Sequence, residues 1–327
     1  MTDAIRAEDV HVVYPDGTEA VNGVDMRVPE GEFFGFLGPN GAGKTTTIRT
    51  LVTLLRPTDG AVTVNGYDVA EDPKSVRRSV GYMAQETSID EELTARENVE
   101  YMAAAYGIPK SDRGERADEL LDLADLLDVA DKSAKTFSGG MKKRLDAVTA
   151  LVHRPPVVFL DEPTTGLDPK ARNRLWDYFR EINREGTTVF LTTQYLEEAD
   201  QLCDRISLIK DGEIDLTGSP DELKREVGGD ILELELAPSD VDVATRIAES
   251  GDVFDDAVVT ETTNGISIGS TMIRTNTPDY FVALRETGVE IDGFDVRSPT
   301  LDDVFLAVTG EGVEEEDAVE SSTEVML

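Results

Sequence analysis

Cysteine and long apolar runs are almost missing from this sequence. Cys203 is the one cysteine among 327 residues, which excludes an intramolecular disulfide and a metal site built from several thiolates. We expect it to be a small buried residue. The apolar runs, such as residues 33–37 and 157–160, are far shorter than the roughly 20 residues that cross a bilayer. The amino terminus has no apolar signal region. These absences predict a cytoplasmic protein that reaches a membrane only through a partner.

Basic residues are scarce as well. The chain has 67 acidic and 31 basic residues, a formal net charge of −36. Such a charge repels nucleic acid, so we expect no nucleic-acid partner. The acidic residues are spread along the whole chain and lysines are few, which predicts a halophilic protein, because screening over about 3 Å at 1 M salt weakens self-repulsion. An ordinary acidic protein is the alternative.

The chain has enough apolar residues, 39%, to form more than one core. Residues 1–226 alternate β-like and helix-like segments, and the pair Gly228 and Gly229 is the expected boundary after them. Residues 311–327 begin with an acidic run and contain few core-forming residues. We expect them to form a disordered tail.

Residues 229–310 have a different order of segments: strand, helix, hairpin, helix, strand and a last helix. This order predicts a small α+β domain of the ferredoxin-like type, with its hairpin at Asn264 and Gly265. We expect the second helix to begin with Thr277 as its N-cap and Pro278 at its first position.

A glycine-rich stretch matches the pattern G-x-x-x-x-G-K-[ST]. It consists of Gly38, Pro39, Asn40, Gly41, Ala42, Gly43, Lys44 and Thr45, with Thr46 next to them. A β-like run precedes it, and apolar residues at helical spacing follow, so the loop opens a helix whose amino terminus favours phosphate. The motif predicts that Lys44 contacts the β- and γ-phosphates of ATP and that the Thr45 hydroxyl binds Mg²⁺.

A second pattern is the apolar run 157–160, which ends in Asp161 and Glu162. A fully buried parallel strand has this composition, and residues at its carboxyl end face the ligand crevice of such a sheet. Asp161 is then placed to bind Mg²⁺. Glu162 stays free to polarise the water that attacks the γ-phosphate.

Between these two elements lie Ser138, Gly139 and Gly140, and here the sequence resembles the ATP-binding-cassette (ABC) family, whose signature has Ser-Gly-Gly in this position. The resemblance implies a P-loop NTPase core of the α/β class over residues 1–226, with a helical subdomain at about 86–150. In the family the signature contacts the γ-phosphate held by the opposite subunit. Because the sequence has one phosphate loop and one signature, we expect a homodimer, or a heterodimer with a second ABC ATPase. Ser138 also has the pattern of a helix N-cap.

The resemblance extends to three further positions. Tyr14 lies where the family stacks an aromatic ring on adenine. Gln85 resembles the glutamine that touches Mg²⁺ and the attacking water and links to the membrane partner. Asp168 matches the loop that crosses the dimer interface. The capping-box pattern of Thr94 and Glu97 opens the helical region that grips that partner in the family.

Gln194 departs from the family, which usually has a histidine there in contact with the γ-phosphate. An amide can donate a hydrogen bond but cannot carry a proton. We therefore expect a slower but real ATPase that uses Lys44, Gln85, Glu162 and Gln194 for catalysis.

Residues 300–306 resemble the extension of exporter ATPases of the daunorubicin-resistance type. This resemblance implies an ATPase that powers a separate integral membrane permease, in export, and lies on the inner face of the cell membrane. A nucleotide-binding switch with weak hydrolysis is one alternative, motivated by Gln194. A cytosolic ABC ATPase acting on ribosomes or DNA is the other, although the single cassette and the negative charge argue against it.

Overall fold

The computed structural model describes residues 2–226 and 229–309, so Gly228 and the predicted tail at 311–327 lie outside the described residues. The strands are β1 (Asp3–Val13), β2 (Glu19–Pro29), β3 (Phe33–Leu37), β4 (Asp59–Val64), β5 (Tyr67–Asp68), β6 (Val80–Met83), β7 (Val157–Asp161), β8 (Thr188–Thr193), β9 (Arg205–Lys210), β10 (Glu213–Gly218), β11 (Asp230–Leu236), β12 (Val258–Thr262), β13 (Gly265–Ser270) and β14 (Ile291–Arg297). The helices are α1 (Lys44–Leu51), α2 (Pro73–Ser79), α3 (Ala95–Ala105), α4 (Lys110–Leu123), α5 (Gly139–Thr149), α6 (Pro169–Arg184), α7 (Leu196–Leu202), α8 (Pro220–Glu226), α9 (Val241–Glu249), α10 (Ile273–Glu286) and α11 (Leu301–Thr309).

The central sheet has the strand order β10-β9-β3-β8-β7-β6. Its strands are parallel except β10, which pairs with β9 in the antiparallel sense. Every residue of β3, β7 and β8 is buried, as is typical of a parallel sheet that is covered on both faces. Since β3 pairs with β8 and β8 with β7, the carboxyl ends of these three strands meet at one edge, where ligands bind in such folds.

A second sheet, with the order β2-β1-β4-β5, is antiparallel and was not predicted from the sequence. Its side chains share one apolar cluster with Ile48 and Leu51 of α1 and with Phe34 and Phe36 of β3. Helix α1 thus packs against both sheets, which fixes the position of the loop that precedes it.

Helices α3, α4 and α5 fill the segment between β6 and β7, inside the range predicted for the helical subdomain. Val99, Leu120, Leu145 and Val148 pack together in one cluster with residues of β3, β7 and β8. The predicted capping box at the start of α3 is confirmed: Glu97 N donates to Thr94 Oγ1 at 3.1 Å, and Thr94 N donates to Glu97 Oε2 at 2.8 Å.

The third sheet is antiparallel with the order β12-β13-β11-β14, and α9 and α10 share its apolar core. This order and the sequence of elements confirm the ferredoxin-like prediction. The predicted start of α10 is wrong, because the helix begins at Ile273 and contains Pro278 in its interior. Ile273 is fully buried, so burial of its side chain offsets the backbone hydrogen bond that the proline removes.

Helix α11 leaves this third sheet and packs on the first part of the chain. Leu301, Val304 and Phe305 lie in the same apolar cluster as Leu202 of α7 and Leu223 of α8. Lys210 Nζ also donates to Val308 O at 3.0 Å. In residues 2–226 and 229–309, no helix is long and apolar enough to span a membrane.

Candidate nucleotide site

The glycine-rich loop joins β3 to α1, as its sequence context predicts. Gly43 has φ +110, and a Cβ there would lie 2.4 Å from Ala20 O. A Cβ on Gly38 would lie 2.1 Å from Ile209 O. Only glycine fits these two positions without a shift of the backbone. The loop therefore needs glycine at both positions to pack against the neighbouring strands.

Lys44 lies in the first turn of α1 and is 5% exposed. Its Nζ donates to Gly38 O at 2.6 Å and to Pro39 O at 3.0 Å, so the ammonium lies within the loop itself. Burial lowers the pKa of Lys44, whereas the nearby carboxylates of Glu162 and Asp161 raise it. A buried cation inside a ring of backbone groups is suited to bind phosphate oxygens.

Asp161 ends β7 and is almost fully buried. Thr192 Oγ1 donates to Asp161 Oδ1 at 2.6 Å, whereas Asp161 Oδ2 is buried and makes no hydrogen bond. Burial raises the pKa of Asp161, and the hydrogen bond from Thr192 and the charge of Arg49 oppose that shift. An unpaired buried carboxylate oxygen is costly and is a suitable ligand for a hard cation. The residue therefore fits Mg²⁺, with the Thr45 hydroxyl of α1 as a second candidate ligand.

Glu162 follows directly and is held by three separate elements. Its backbone N donates to Thr192 O at 3.0 Å, its Oε2 accepts from Gln85 Nε2 at 3.0 Å, and its backbone O accepts from Lys143 Nζ at 3.1 Å. Its φ of +49 is left-handed, which is uncommon for a residue other than glycine and occurs often at functional sites. The predicted partners Glu162 and Gln85 are thus in direct contact.

Two more predicted residues lie at this edge. Tyr14, just after β1, contacts the loop helix through its hydroxyl, which is 3.1 Å from Thr46 Oγ1. Gln194 is half-buried and directly follows β8. Because Thr192 of β8 pairs with Asp161 of β7, Gln194 leaves the sheet beside the two carboxylates.

The predicted signature and dimer-loop residues form a different group, in which Ser138, Gly139 and Asp168 are exposed. Ser138 is the N-cap of α5 and accepts from Met141 N at 3.3 Å. Asp168 is exposed and caps α6 by accepting from Ala171 N at 3.0 Å. Gly140 faces Leu167 and Ala171, since a Cβ on it would lie about 3.5 Å from their side chains. These two helix starts therefore lie side by side on the surface.

Sequence reasoning missed the residues that support this site. Lys143 and Asp146 lie on α5, and Asp146 Oδ1 accepts from Ser88 Oγ at 2.6 Å. Glu198 of α7 is fully buried and accepts from Trp176 Nε1 at 2.8 Å; burial raises its pKa. The proximity of Lys143 and Asp146 to the signature was a weak signal in the sequence, but their partners are distant along the chain.

The fold and this loop define a P-loop ATPase. A family model described as "ABC transporter" matches residues 21–165, and one described as "ATP-binding protein DrrA1-3-like, C-terminal domain" matches residues 218–309. The chain is 42% identical to the daunorubicin/doxorubicin resistance ATP-binding protein DrrA of Streptomyces peucetius, over 99% of this chain and 97% of that protein. It is 33% identical to the linearmycin resistance ATP-binding protein LnrL of Bacillus subtilis, over 94% and 98%.

Among solved structures, a dimeric ATP-binding cassette in a post-hydrolysis state bound to ADP and Pi is similar, with a TM-score of 0.62 and 29% identity over 66% of this chain and 98% of that one. The chain therefore belongs to the ATP-binding proteins of ABC transporters, and within them to the daunorubicin-resistance type. It is an ATP-binding and ATP-hydrolysing subunit, which confirms the resemblance drawn from Ser138, Gly139 and Gly140 and from residues 300–306.

Proposed function

We propose that this chain hydrolyses Mg-ATP with Glu162 as the general base. The observation that carries the proposal is the pair of adjacent carboxylates at the end of β7. Asp161 has a buried oxygen without a partner, and Glu162 is oriented by Gln85. Mg²⁺, held by Asp161, Thr45 and Gln85, would neutralise charge on the phosphates when bound. Glu162, which does not have to bind the metal, is then available to accept a proton from water.

The remaining site residues have separate tasks in this proposal. Lys44 and the backbone N–H groups of the loop bind the phosphates. Tyr14 stacks on adenine, a position supported by its contact with Thr46. Gln194 donates a hydrogen bond to the γ-phosphate from the end of β8.

We further propose that two chains share each ATP site. The support is the exposure of Ser138 and Gly139 at the start of α5, because the amino terminus of a helix binds anions and two such chains can complete one another's sites. Asp168, on the same surface, would lie in the dimer interface. The family similarity includes a solved dimer.

A subunit-mixing experiment tests the shared site. Ser138→Arg chains alone and Lys44→Ala chains alone should both be inactive. An equal mixture should recover about one quarter of the parent activity per chain, because half of randomly assorted dimers contain one intact site. Activity of Ser138→Arg chains at the parent rate would contradict the shared site, since each chain would then hold a complete one.

We propose that the cycle powers export through a separate membrane permease, with the chain at the inner face of the membrane. Two relatives are named for resistance to daunorubicin and doxorubicin and to linearmycin, which supports export of a compound by this chain's transporter as well. Tyr101 on α3 supports docking of a partner on the helical region: at 68% it is the most exposed large apolar side chain among the described residues, and exposed aromatic residues are enriched at interfaces.

The variant Tyr101→Ser tests the docking surface. Its ATPase rate as an isolated chain should stay within about twofold of the parent, because surface substitutions cost little. Its co-purification with the co-expressed permease should weaken. Tyr67→Ser, on an exposed tyrosine of β5, is the matched control and should co-purify like the parent. Equal recovery of permease with both variants would contradict docking at Tyr101.

A further inference from the structure

Lys143 is a half-buried cation for which the proposed function has no task. It lies on α5, just over one turn after the signature serine. Its Nζ donates to the backbone carbonyl of Glu162 at 3.1 Å, across 19 residues of sequence. This contact reaches the residue that the proposal assigns as the base, but it does not touch the reacting carboxylate.

The conformation of Glu162 explains why such a contact matters. Its left-handed φ of +49 persists only where the surroundings fix it. The other donor to its carbonyl is Thr165 N at 3.4 Å, which is a long and weak hydrogen bond. A hydrogen bond from an ammonium is stronger than one from a neutral donor. Lys143 is thus the main group that holds this carbonyl.

The same helix also reaches the other partner of Glu162. Asp146, on α5, accepts from Ser88 Oγ at 2.6 Å and from Ser88 N at 3.3 Å. Ser88 follows Gln85 by three residues, and Gln85 Nε2 donates to Glu162 Oε2 at 3.0 Å. The contacts form one connected network. Lys143 holds the backbone of Glu162, Asp146 holds the loop that contains Gln85, and Gln85 holds the carboxylate of Glu162.

We propose that Lys143 is a positioning residue, which fixes the backbone of Glu162 and so links the helix that begins at the signature to the base of the same chain. The inference rests on the proposed function of Glu162. Helix α5 carries Ser138 at its amino-terminal end and Lys143 in its second turn. A shift of this helix when the signature contacts a nucleotide would therefore change the position of this chain's own Glu162.

The test compares Lys143→Met with Lys142→Met. Lys142 is next to Lys143 on the same helix but pairs with Glu91 on the surface, at 2.6 Å, so the control removes one lysine charge without touching Glu162. Lys143→Met should lower kcat by about tenfold or more, which corresponds to about 1.4 kcal/mol of transition-state stabilisation. Its affinity for ATP and its melting temperature should match those of Lys142→Met. Lys143→Arg, which keeps a cationic donor, should recover most of the rate.

A double variant shows whether Lys143 acts through Glu162. In the Glu162→Gln background, Lys143→Met should lower the residual rate by less than about twofold, because two residues that act as one unit are not additive. A further tenfold fall would overturn the inference, as would a Lys143→Met rate equal to that of Lys142→Met.

The two proposals fail in different ways. The proposed function fails if Glu162→Gln turns over ATP at the parent rate. The Lys143 inference alone fails if Glu162→Gln is inactive while Lys143→Met matches its control. If Lys143→Met does not fold, the comparison of Lys143→Gln with Lys142→Gln replaces it, with the same slower rate expected and the same equality overturning the inference.

Discussion

The ATPase core and the C-terminal sheet differ in what they bury. Five Asp, Glu or Lys side chains are buried in the described residues, Lys44, Asp146, Asp161, Glu162 and Glu198, and all of them lie in the first part of the chain. The core of the C-terminal sheet, in contrast, is formed by apolar residues such as Leu232, Leu234 and Ile268.

This difference matches the position of the candidate nucleotide site, which lies in the first part of the chain. Burying a charge costs several kcal/mol unless it is paired, so buried Asp, Glu and Lys side chains persist where a function needs them. In the C-terminal part the ion pairs stay partly exposed: Arg297 donates to Glu233 at 2.8 Å and to both carboxylate oxygens of Asp303 at 2.6 and 2.8 Å. Helix α11 attaches this sheet to the first part of the chain, through Leu301, Val304 and Phe305.

Two leucine substitutions sharpen this comparison and should give the largest effects on stability. Leu234→Ala in the C-terminal core and Leu301→Ala in α11 each remove a buried side chain, which costs about 2–5 kcal/mol. ATP binding stabilises only the unit that holds it. We expect Leu301→Ala to lower the melting temperature of the ATP-responsive transition, and Leu234→Ala to lower a transition that ATP does not shift.

Calorimetry with and without Mg-ATP distinguishes the two variants. If both variants lower the same ATP-responsive transition equally, the C-terminal sheet does not unfold as a separate unit. That outcome would contradict the distinction drawn between the two parts of the chain. In either outcome, the ATPase rate of Leu234→Ala below its melting temperature should stay within about twofold of the parent, as expected for a site remote from the chemistry.

A smaller effect is expected at Gln194, on the ATPase side of the comparison. Gln194→Ala should lower kcat by about tenfold if its hydrogen bond stabilises the transition state by about 1.4 kcal/mol. Gln194→His should keep or raise the rate and add a pH dependence between about 6 and 7, because an imidazole titrates there and an amide does not. Steady-state assays at saturating Mg-ATP measure both. A Gln194→Ala rate equal to the parent would mean that this side chain makes no contact with the γ-phosphate.

The sequence was sufficient for the features that depend on local pattern. The phosphate loop, the strand that ends in Asp161 and the capping box at Thr94 each have their determinants within a few residues, so spacing alone predicted them. The C-terminal order of strands and helices followed from alternation and turn residues. The high-salt adaptation stays a prediction.

The features that the sequence predicted wrongly or did not predict depend on packing in three dimensions. Helix α10 starts before Pro278 because Ile273 is buried beneath it, and a proline pattern contains no information about that burial. The antiparallel sheet of β1, β2 and β4 was missed because its pairing has several register irregularities, which disturb the alternation expected of strands. The contact of Lys143 with Glu162 joins separate elements, and no spacing rule predicts it.

The central claim, that Glu162 is the base, is tested most directly by Glu162→Gln. The substituted amide keeps the size of the side chain but cannot take a proton from water, and general-base catalysis contributes about 10²–10⁴-fold. We predict that ATP affinity, which depends on Lys44 and the loop, stays at the parent value. Turnover should fall by at least about 100-fold, and the chain should accumulate as an ATP-bound dimer in size-exclusion chromatography. Hydrolysis within about twofold of the parent rate would contradict the account.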